Sequence, residues 1–264
     1  MMRNNSYKRT RNLFNPKSKT PFKLSRSRLE MFSQCPRCFY LDRRLGVDKP
    51  SMPAFTLNSA VDALLKKEFD VYRARREPHP LMEKYHVDAI PFAHSRLDTW
   101  RENFVGVQAY DTKHNLIIFG AIDDLWIAKD KKLYVVDYKA TSTKGPITLD
   151  GRWKEAYKRQ MEIYQWLLRR NEFDISDTGY FVYCNAGRDR AGFEDHLDFD
   201  VEIIPYKGSD AWVDDFIDQA HACLMNDDIP DSADNCEHCQ YRAAAQSALE
   251  PATAKAEEQK EFLF

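Results

Sequence analysis

Acidic residues and a lysine stand in two short segments in the middle of the chain. The first is Gly120-Ala121-Ile122-Asp123 and the second is Val135-Val136-Asp137-Tyr138-Lys139. Alternate side chains of a strand share a face, so Asp137 and Lys139 project together while Tyr138 points the other way. Pairing of residues 115–128 with 132–140 as a hairpin would bring Asp123 to the same place.

Two acids beside an amine are suited to metal-assisted chemistry. Neighbouring carboxylates repel each other and need a cation, and hard oxygen ligands of this kind suit Mg²⁺ or Mn²⁺. Lysine is a natural group to position, and to deprotonate, a water molecule beside that metal. The alternative interpretation is an Asp-Lys pair on a strand surface with an unrelated turn aspartate.

Four of the six cysteines form a second candidate metal site. Cys35-x-x-Cys38 and Cys236-x-x-Cys239 are two short-spaced pairs near opposite ends of the chain. A CxxC pair lets two thiolates reach one metal, and four thiolates complete a tetrahedral zinc site or an iron-sulfur cluster. Independent buried thiols are the alternative, and that is the role we expect for Cys184 and Cys223.

The composition is that of a globular protein that stays inside the cell. The 264 residues are 43% hydrophobic and 30% charged, which suffices for one large domain or two small ones. The sequence contains no apolar run of the length that a membrane helix needs, and the first twenty residues are basic and polar, unlike a secretory signal. We therefore expect a cytoplasmic protein without a membrane partner.

Charge is distributed unevenly along the chain. Residues 1–46 hold twelve of the 39 basic residues and two of the 41 acidic ones, so this segment carries +10 and the remainder −12. Lysine and arginine gain binding energy by displacing counterions from phosphates. The basic segment therefore hints at a polyanionic partner, with a solvated tail as the alternative for residues 1–20.

The periodicity of apolar residues predicts a mixed α/β protein. Ser27-Arg28-Leu29-Glu30 has the form of a capping box that starts a helix, with a break at Cys35-Pro36. Three strands over 105–111, 115–128 and 132–140 are expected to form an antiparallel meander. The other predicted elements are helices over 58–75, 153–170 and 212–225 and strands over 178–185 and 196–204.

The two acid-bearing strands resemble those of the PD-(D/E)XK nuclease superfamily. Within that superfamily, the sequence resembles the RecB-type nuclease domain shared with AddB-like proteins and CRISPR-adaptation exonucleases. Ser25-x-Ser27-x-Leu29-x-x-Phe32-x-x-Cys35-Pro36-Arg37-x-Phe39-Tyr40 looks like the opening helix of that group, and Gln160-Met161-Glu162-Ile163-Tyr164 looks like its Q-x-x-x-Y helix. The likeness covers about residues 22–245.

The resemblance implies a restriction-endonuclease-like core, in which helices flank a central mixed sheet. An N-terminal helical part would be clasped to the C-terminal segment by the cysteines. We expect this nuclease domain over 22–245, between a flexible basic arm over 1–21 and a flexible tail over 246–264.

Site roles also follow from the resemblance. Asp123 and Asp137 would be metal-binding acids, the Tyr138 carbonyl a further metal ligand and Lys139 the catalytic lysine. Gln160 and Tyr164 are four residues apart and share a helix face. The family places that face against the metal site and the substrate phosphate.

Two departures from the family pattern concern metal ligands. The RecB-type group has a metal-binding histidine in its second helix, and the corresponding position here is Asp62, itself a good Mg²⁺ ligand. The alternative for Asp62 is an exposed helix residue without a ligand role. The group also carries a 4Fe-4S cluster on one N-terminal and three C-terminal cysteines. Here Ala245 stands in place of the last cysteine and Cys38 is additional, so a 4Fe-4S cluster is favoured with structural Zn²⁺ as the alternative.

The function expected from these features is metal-dependent hydrolysis of DNA phosphodiester bonds, in DNA repair, recombination or defence. Exonuclease action on single-stranded DNA, or on DNA with a free end, is favoured over endonuclease action. A catalytically inactive DNA-binding or recruitment module and a restriction-type endonuclease are the alternatives. Gln259-Lys260-Glu261-Phe262-Leu263-Phe264 resembles the peptides by which bacterial repair proteins dock on the sliding clamp, with packing against its own domain as the alternative.

Overall fold

The computed structural model describes residues 8–50, 53 and 55–261, with side chains up to residue 249. The chain divides into two compact units. The first holds the described residues of Met1–Ser18, Met31–Ser51 and Gln219–Phe264, and the second those of Lys19–Glu30 and Met52–Asp218. The segment predicted as a single domain over 22–245 is therefore divided between two units, each built from separate stretches of sequence.

The architecture is mixed α/β, as predicted. Within the described residues, the helices are α1 (Arg26–Gln34), α2 (Pro36–Arg43), α3 (Thr56–Arg75), α4 (Pro80–Lys84), α5 (Leu97–Trp100), α6 (Glu155–Arg169), α7 (Val213–Met225) and α8 (Glu237–Glu261). The strands are β1 (Phe22–Ser25), β2 (Ala89–Pro91), β3 (Val107–Asp111), β4 (Leu116–Gly120), β5 (Asp124–Ala128), β6 (Leu133–Thr141), β7 (Thr178–Ala186) and β8 (Phe199–Lys207).

Two sheets lie in the second unit. The larger has the strand order β2-β5-β6-β7-β8, in which the central pair β6 and β7 is parallel and the other neighbours are antiparallel. The smaller has the order β1-β4-β3, with β1 parallel to β4. The parallel β6-β7 pair needs a crossover connection, which contains α6.

The predicted three-stranded meander is wrong in one respect. Residues 115–128 do not form one strand, because the chain leaves β4 in the smaller sheet at Gly120 and enters β5 in the larger sheet at Asp124. Ile122, between the two strands, is fully buried and donates its backbone N–H to the carbonyl of Trp100 at 3.1 Å. A continuous apolar run cannot reveal such a change of sheet, since both strands are buried.

Helices α3 and α6 cover opposite faces of β6. Phe69 of α3 packs on Tyr138, with ring centroids 5.6 Å apart, inside a core that includes Leu65 and Trp126. On the other face, Gln160 of α6 bonds the side chain of Asp137. Strand alternation therefore places Val136 and Tyr138 toward α3, and Asp137 and Lys139 toward α6.

The first unit contains α2, α8 and residues 8–18. Phe14 is 6% exposed and stacks edge-on with His221, and Arg9 forms an ion pair with the fully buried Asp42, with Nη2 and Oδ1 3.1 Å apart. A backbone bridge also joins Lys8 to Val47. Residues 8–18 are thus packed, contrary to the flexible arm that the basic sequence predicts. They supply a core aromatic ring and, together with Arg43, a counter-charge for the buried Asp42.

The C-terminal segment also differs from its prediction. α8 continues to Glu261, although a flexible tail was expected from residue 246. The segment is rich in alanine, glutamate, lysine and glutamine, which favour helix without producing an apolar stripe, so periodicity did not indicate it. Phe262–Phe264 of the expected clamp-docking peptide Gln259–Phe264 lie outside the described residues, and that role stays a prediction.

No helix in the described part of the chain is both long enough and apolar enough to cross a membrane.

Packing of residues 8–18 predicts a measurable contribution to stability. Phe14→Ala should lower the free energy of unfolding by about 3 kcal/mol, because it leaves a cavity in the first unit. Phe104→Ala is the matched control, since Phe104 is 87% exposed and its removal should change stability by less than about 0.5 kcal/mol. Thermal unfolding followed by circular dichroism measures both, and equal midpoints for the two variants would mean that Phe14 is not packed.

Candidate active site

Strand β6 sets the acid and the amine side by side. The Asp137 carboxylate is fully buried and forms an ion pair with the Lys139 ammonium through Oδ2. Tyr138 points to the opposite face, where its hydroxyl donates to Asp124 Oδ2 at 2.7 Å. The alternation inferred from the sequence is therefore the arrangement that the structure has.

Asp123 lies in the link between β4 and β5, next to the same pair. Its Oδ2 accepts the backbone N–H of Tyr138 at 2.9 Å, and its backbone carbonyl accepts from Arg101 Nε at 2.9 Å. These two hydrogen bonds fix the residue on both its side chain and its main chain. The hairpin pairing of β5 with β6 thus brings Asp123 beside the Asp137–Lys139 pair, as expected.

Helix α3 adds Asp62 and, unexpectedly, Lys66. The Lys66 ammonium lies 2.8 Å from Asp62 Oδ2 and 3.0 Å from Asp123 Oδ1, so it bridges the two carboxylates. Asp62 is a candidate ligand from the sequence, whereas Lys66 is found only in the structure. The signal was available, because a lysine four residues after an aspartate lies on the same helix face.

Helix α6 supplies the glutamine and tyrosine of the Q-x-x-x-Y segment. Gln160 Nε2 donates to Asp137 Oδ1 at 2.8 Å and to the Tyr164 hydroxyl at 3.2 Å. Gly120 allows this approach, since a Cβ at that position would lie 2.6 Å from Tyr164 Cε1. A glycine at position 120 is thus required for the close contact of α6 with the end of β4.

Burial and charge set the protonation of the central pair. Burial raises the pKa of Asp137 to about 6, with the charge of Lys139 opposing and that of Asp123 adding to the shift. Burial alone would lower the pKa of Lys139, but the charges of Asp137 and Asp123 outweigh it and the pKa is raised. Lys139 is therefore a charged ammonium in this arrangement, suited to neutralising negative charge more than to acting as a base.

The oxygen-rich donor set fits a hard divalent cation. Asp137 Oδ2 is buried and, within the described residues, makes no hydrogen bond of acceptable geometry despite its ion pair with Lys139. Asp62, Asp123 and the Tyr138 carbonyl are the other candidate ligands, although within the described residues the carboxylate oxygens of Asp62, Asp123 and Asp137 do not all lie within 4.8 Å of one another. Lys66 and Lys139 hold these acids together by supplying the positive charge that neighbouring carboxylates need.

A buried network that sequence reasoning did not identify supports the site from the α3 side of β6. Asp124 is fully buried and pairs with Arg73 and Arg101, both of which also contact Asp70. Asp124 accepts the Tyr138 hydroxyl, so the network fixes the residue that lies between Asp137 and Lys139. Asp70 and Arg73 share a face of α3 at i,i+3 spacing, but Arg101 and Asp124 come from other parts of the chain, and their proximity to that pair has no local sequence signal.

Aromatic rings and a second lysine border Lys139. The Lys139 and Lys154 ammonium groups lie 4.7 Å and 5.3 Å from the centroid of the Tyr157 ring. Lys154 Nζ also donates to the Tyr183 hydroxyl at 2.9 Å. The burial of Lys154 and the charge of Lys139 both lower the pKa of Lys154. The ammonium groups of Lys139 and Lys154 therefore both lie near the Tyr157 ring, in the first turn of α6.

The four cysteines of the two CxxC pairs meet in the first unit. All four residues are buried, and their sulfur atoms lie within 4.8 Å of one another. In the described part of the chain, they are the group of three or more histidine, cysteine or acidic side chains that meets this distance. The cluster joins the start of α2 to the start of α8 and is a candidate metal centre distinct from the aspartates.

The fold and the acid-lysine site together define a class of phosphodiester-cleaving enzymes. Strand β6 of a mixed sheet carries an acid and a lysine, the link that enters the neighbouring strand β5 carries a second acid, and helix α6 presents a glutamine to the first acid. The chain matches the PD-(D/E)XK nuclease superfamily over residues 23–244 and belongs to it. No curated protein matches the sequence.

The bridge formed by Lys66 predicts a metal-linked effect on stability. Lys66→Ala should destabilise the metal-free protein by about 1–2 kcal/mol, because two neighbouring carboxylates lose their shared cation. Mn²⁺ should then raise the unfolding temperature of this variant more than that of the wild-type protein. Lys67→Ala is the control, since Lys67 is exposed on the same helix. An equal Mn²⁺ response in all three proteins would contradict the bridging role.

Proposed function

We propose that the protein is a divalent-metal-dependent deoxyribonuclease that hydrolyses phosphodiester bonds. The main support is the arrangement of two acids. Asp137 forms an ion pair with Lys139 and a hydrogen bond with Gln160, and Asp123 is held nearby by a hydrogen bond from the backbone N–H of Tyr138. Membership of the PD-(D/E)XK superfamily supports a nuclease reaction. The RecB-type subgroup, and with it exonuclease action inside the cell, is the finer assignment that we favour.

The proposed chemistry divides among a few side chains. Asp123, Asp137 and Asp62 would hold Mg²⁺ or Mn²⁺, which supplies an activated water and neutralises charge on the phosphate. Gln160 keeps the Asp137 carboxylate oriented through its 2.8 Å hydrogen bond. Lys139 remains an ammonium group and stabilises the negative charge that develops on the scissile phosphate. Tyr164 positions Gln160 from within the same helix.

The surroundings of Lys139 favour a nucleic-acid strand with accessible bases. Lys154 lies beside the same aromatic ring as Lys139, and the preceding residue, Trp153, is 82% exposed. An exposed indole one residue before Lys154 in the chain suits a strand whose phosphate contacts lysine while a base stacks on the ring. This supports single-stranded DNA, or DNA with a frayed free end, as the substrate.

Two other functions use the same fold. Membership of the nuclease superfamily, together with the acid-lysine pair beside Asp123, favours an enzyme over a DNA-binding or recruitment module without activity. A restriction-type endonuclease would share the chemistry and differ in cutting closed circles. DNA repair, recombination and defence are pathways in which either enzyme would act.

Cleavage assays on linear and circular DNA test the proposal. Wild-type protein with Mg²⁺ or Mn²⁺ should degrade linear single-stranded DNA, and covalently closed circles should persist. Asp137→Ala and Lys139→Ala should each reduce cleavage by a factor of at least about 10³, since each removes charge from the reacting centre.

Exposed residues of the turn before β6 provide matched controls. Asp130→Asn and Lys132→Ala remove one charge of each sign at positions exposed to solvent and should leave cleavage unchanged. Full activity in Asp137→Ala would contradict the active-site assignment. Rapid cleavage of closed circles by the wild-type protein would favour the endonuclease instead.

Stacking on Trp153 predicts a defect in substrate binding. Trp153→Ala should weaken binding of a single-stranded oligonucleotide by a factor of about 10, equivalent to about 1–2 kcal/mol of lost base stacking, and Trp153→Phe should restore most of it. Fluorescence anisotropy with Ca²⁺ in place of Mg²⁺ measures binding without cleavage. Phe104→Ala removes an equally exposed aromatic ring elsewhere and is the control. Unchanged binding by Trp153→Ala would exclude the stacking role.

A further inference from the structure

The spacing of the four clustered sulfur atoms distinguishes between kinds of metal centre. Cys38 Sγ lies 3.6 Å from Cys236 Sγ and 3.7 Å from Cys239 Sγ, and Cys35 Sγ lies 3.9 Å from Cys239 Sγ. No sulfur of the cluster is more than 4.8 Å from another. The four sulfur atoms thus form a compact group in which three of the distances lie between 3.6 and 3.9 Å.

A single tetrahedral zinc ion requires this spacing. Zinc-thiolate bonds of about 2.3 Å at tetrahedral angles place neighbouring sulfur atoms about 3.8 Å apart. In a 4Fe-4S cluster each cysteine binds a different iron at a corner of a cube, so the sulfur atoms must stand much farther apart, on the order of 6 Å. The observed distances fit one metal ion and do not fit the cluster that the family resemblance implies.

The local backbone supports a pair of matching metal-binding turns. Cys35 immediately precedes α2 and Cys38 lies in its first turn, while Cys236 precedes α8 and Cys239 lies in its first turn. The carbonyl oxygen of Cys35 accepts from Phe39 N–H at 3.1 Å, and that of Cys236 accepts from Gln240 N–H at 3.0 Å. Each pair therefore presents two thiols from the start of a helix.

We propose that Cys35, Cys38, Cys236 and Cys239 bind one Zn²⁺ as a closed structural site. Four thiolates leave no open position for water or substrate, so the ion would stabilise the first unit and take no part in hydrolysis. Cys38 and Cys236 are 198 residues apart, and the metal offsets the entropy of closing that loop. Ala245 replaces a cysteine of the family pattern, and this replacement is compatible with the proposed site because Cys38 supplies the fourth thiolate.

Metal analysis of the full-length protein tests this assignment. Protein expressed with both iron and zinc available and purified anaerobically should contain about one zinc and no iron per chain, and should be colourless. Replacement by Co²⁺ should give the strong visible absorption of tetrahedral cobalt with a sulfur-to-cobalt charge-transfer band. About four irons per chain with a brown colour would overturn the proposal, as would a metal-free protein with four reactive thiols.

Variants separate metal binding from general destabilisation. Cys236→Ser should lose the zinc and lower the unfolding temperature, whereas Cys223→Ser, a cysteine outside the cluster, should retain the full zinc content. If Cys236→Ser does not fold, release of zinc from the wild-type protein by a thiol-specific mercurial, followed with a chromogenic chelator, gives the same information. Zinc content unchanged in folded Cys236→Ser, or no zinc released from the wild-type protein, would contradict the site.

Discussion

The cost of burying a carboxylate on a central strand determines much of the second unit. Asp137 is fully buried, and an unpaired charge at that position would be strongly unfavourable. Lys139 and Gln160 compensate it from β6 and α6, and each of them must in turn be held in place. Tyr138, between the two charged residues, is fixed by the Asp124–Arg73–Arg101 network. Lys139 and Gln160, which allow Asp137 to be buried, also form with it a polar cluster suited to binding a metal ion and a phosphate.

Strand alternation predicts this cluster only in part. Val135-Val136-Asp137-Tyr138-Lys139 reveals a shared face because its periodicity is local. Gln160 and Tyr164 are likewise indicated by helical spacing. The change of sheet between Gly120 and Asp124 and the packing of Phe14 depend on distant contacts that no local pattern encodes. α8 was missed for the opposite reason, since its sequence favours helix without an apolar stripe.

The two candidate metal sites differ in the chemistry of their ligands. Aspartate oxygens favour a hard ion such as Mg²⁺, which keeps some of its water ligands when bound, and this suits a site where water and a phosphate must reach the ion. Four buried thiolates select a soft or borderline ion and close its coordination, which suits a structural role. Sequence spacing located both sets, but the distances between sulfur atoms were needed to favour a single zinc ion over an iron-sulfur cluster.

The central claim is that the acids around Asp137 bind the metal ion used in catalysis. Calorimetric titration of Mn²⁺ into DNA-free protein tests it directly, with Asp137→Asn as the comparison because it keeps the shape of the side chain and removes its charge. The account predicts saturable binding to the wild-type protein that is weakened by a factor of at least about 10, or about 1.4 kcal/mol, in the variant. Equal affinity for Mn²⁺ in the two proteins would contradict it.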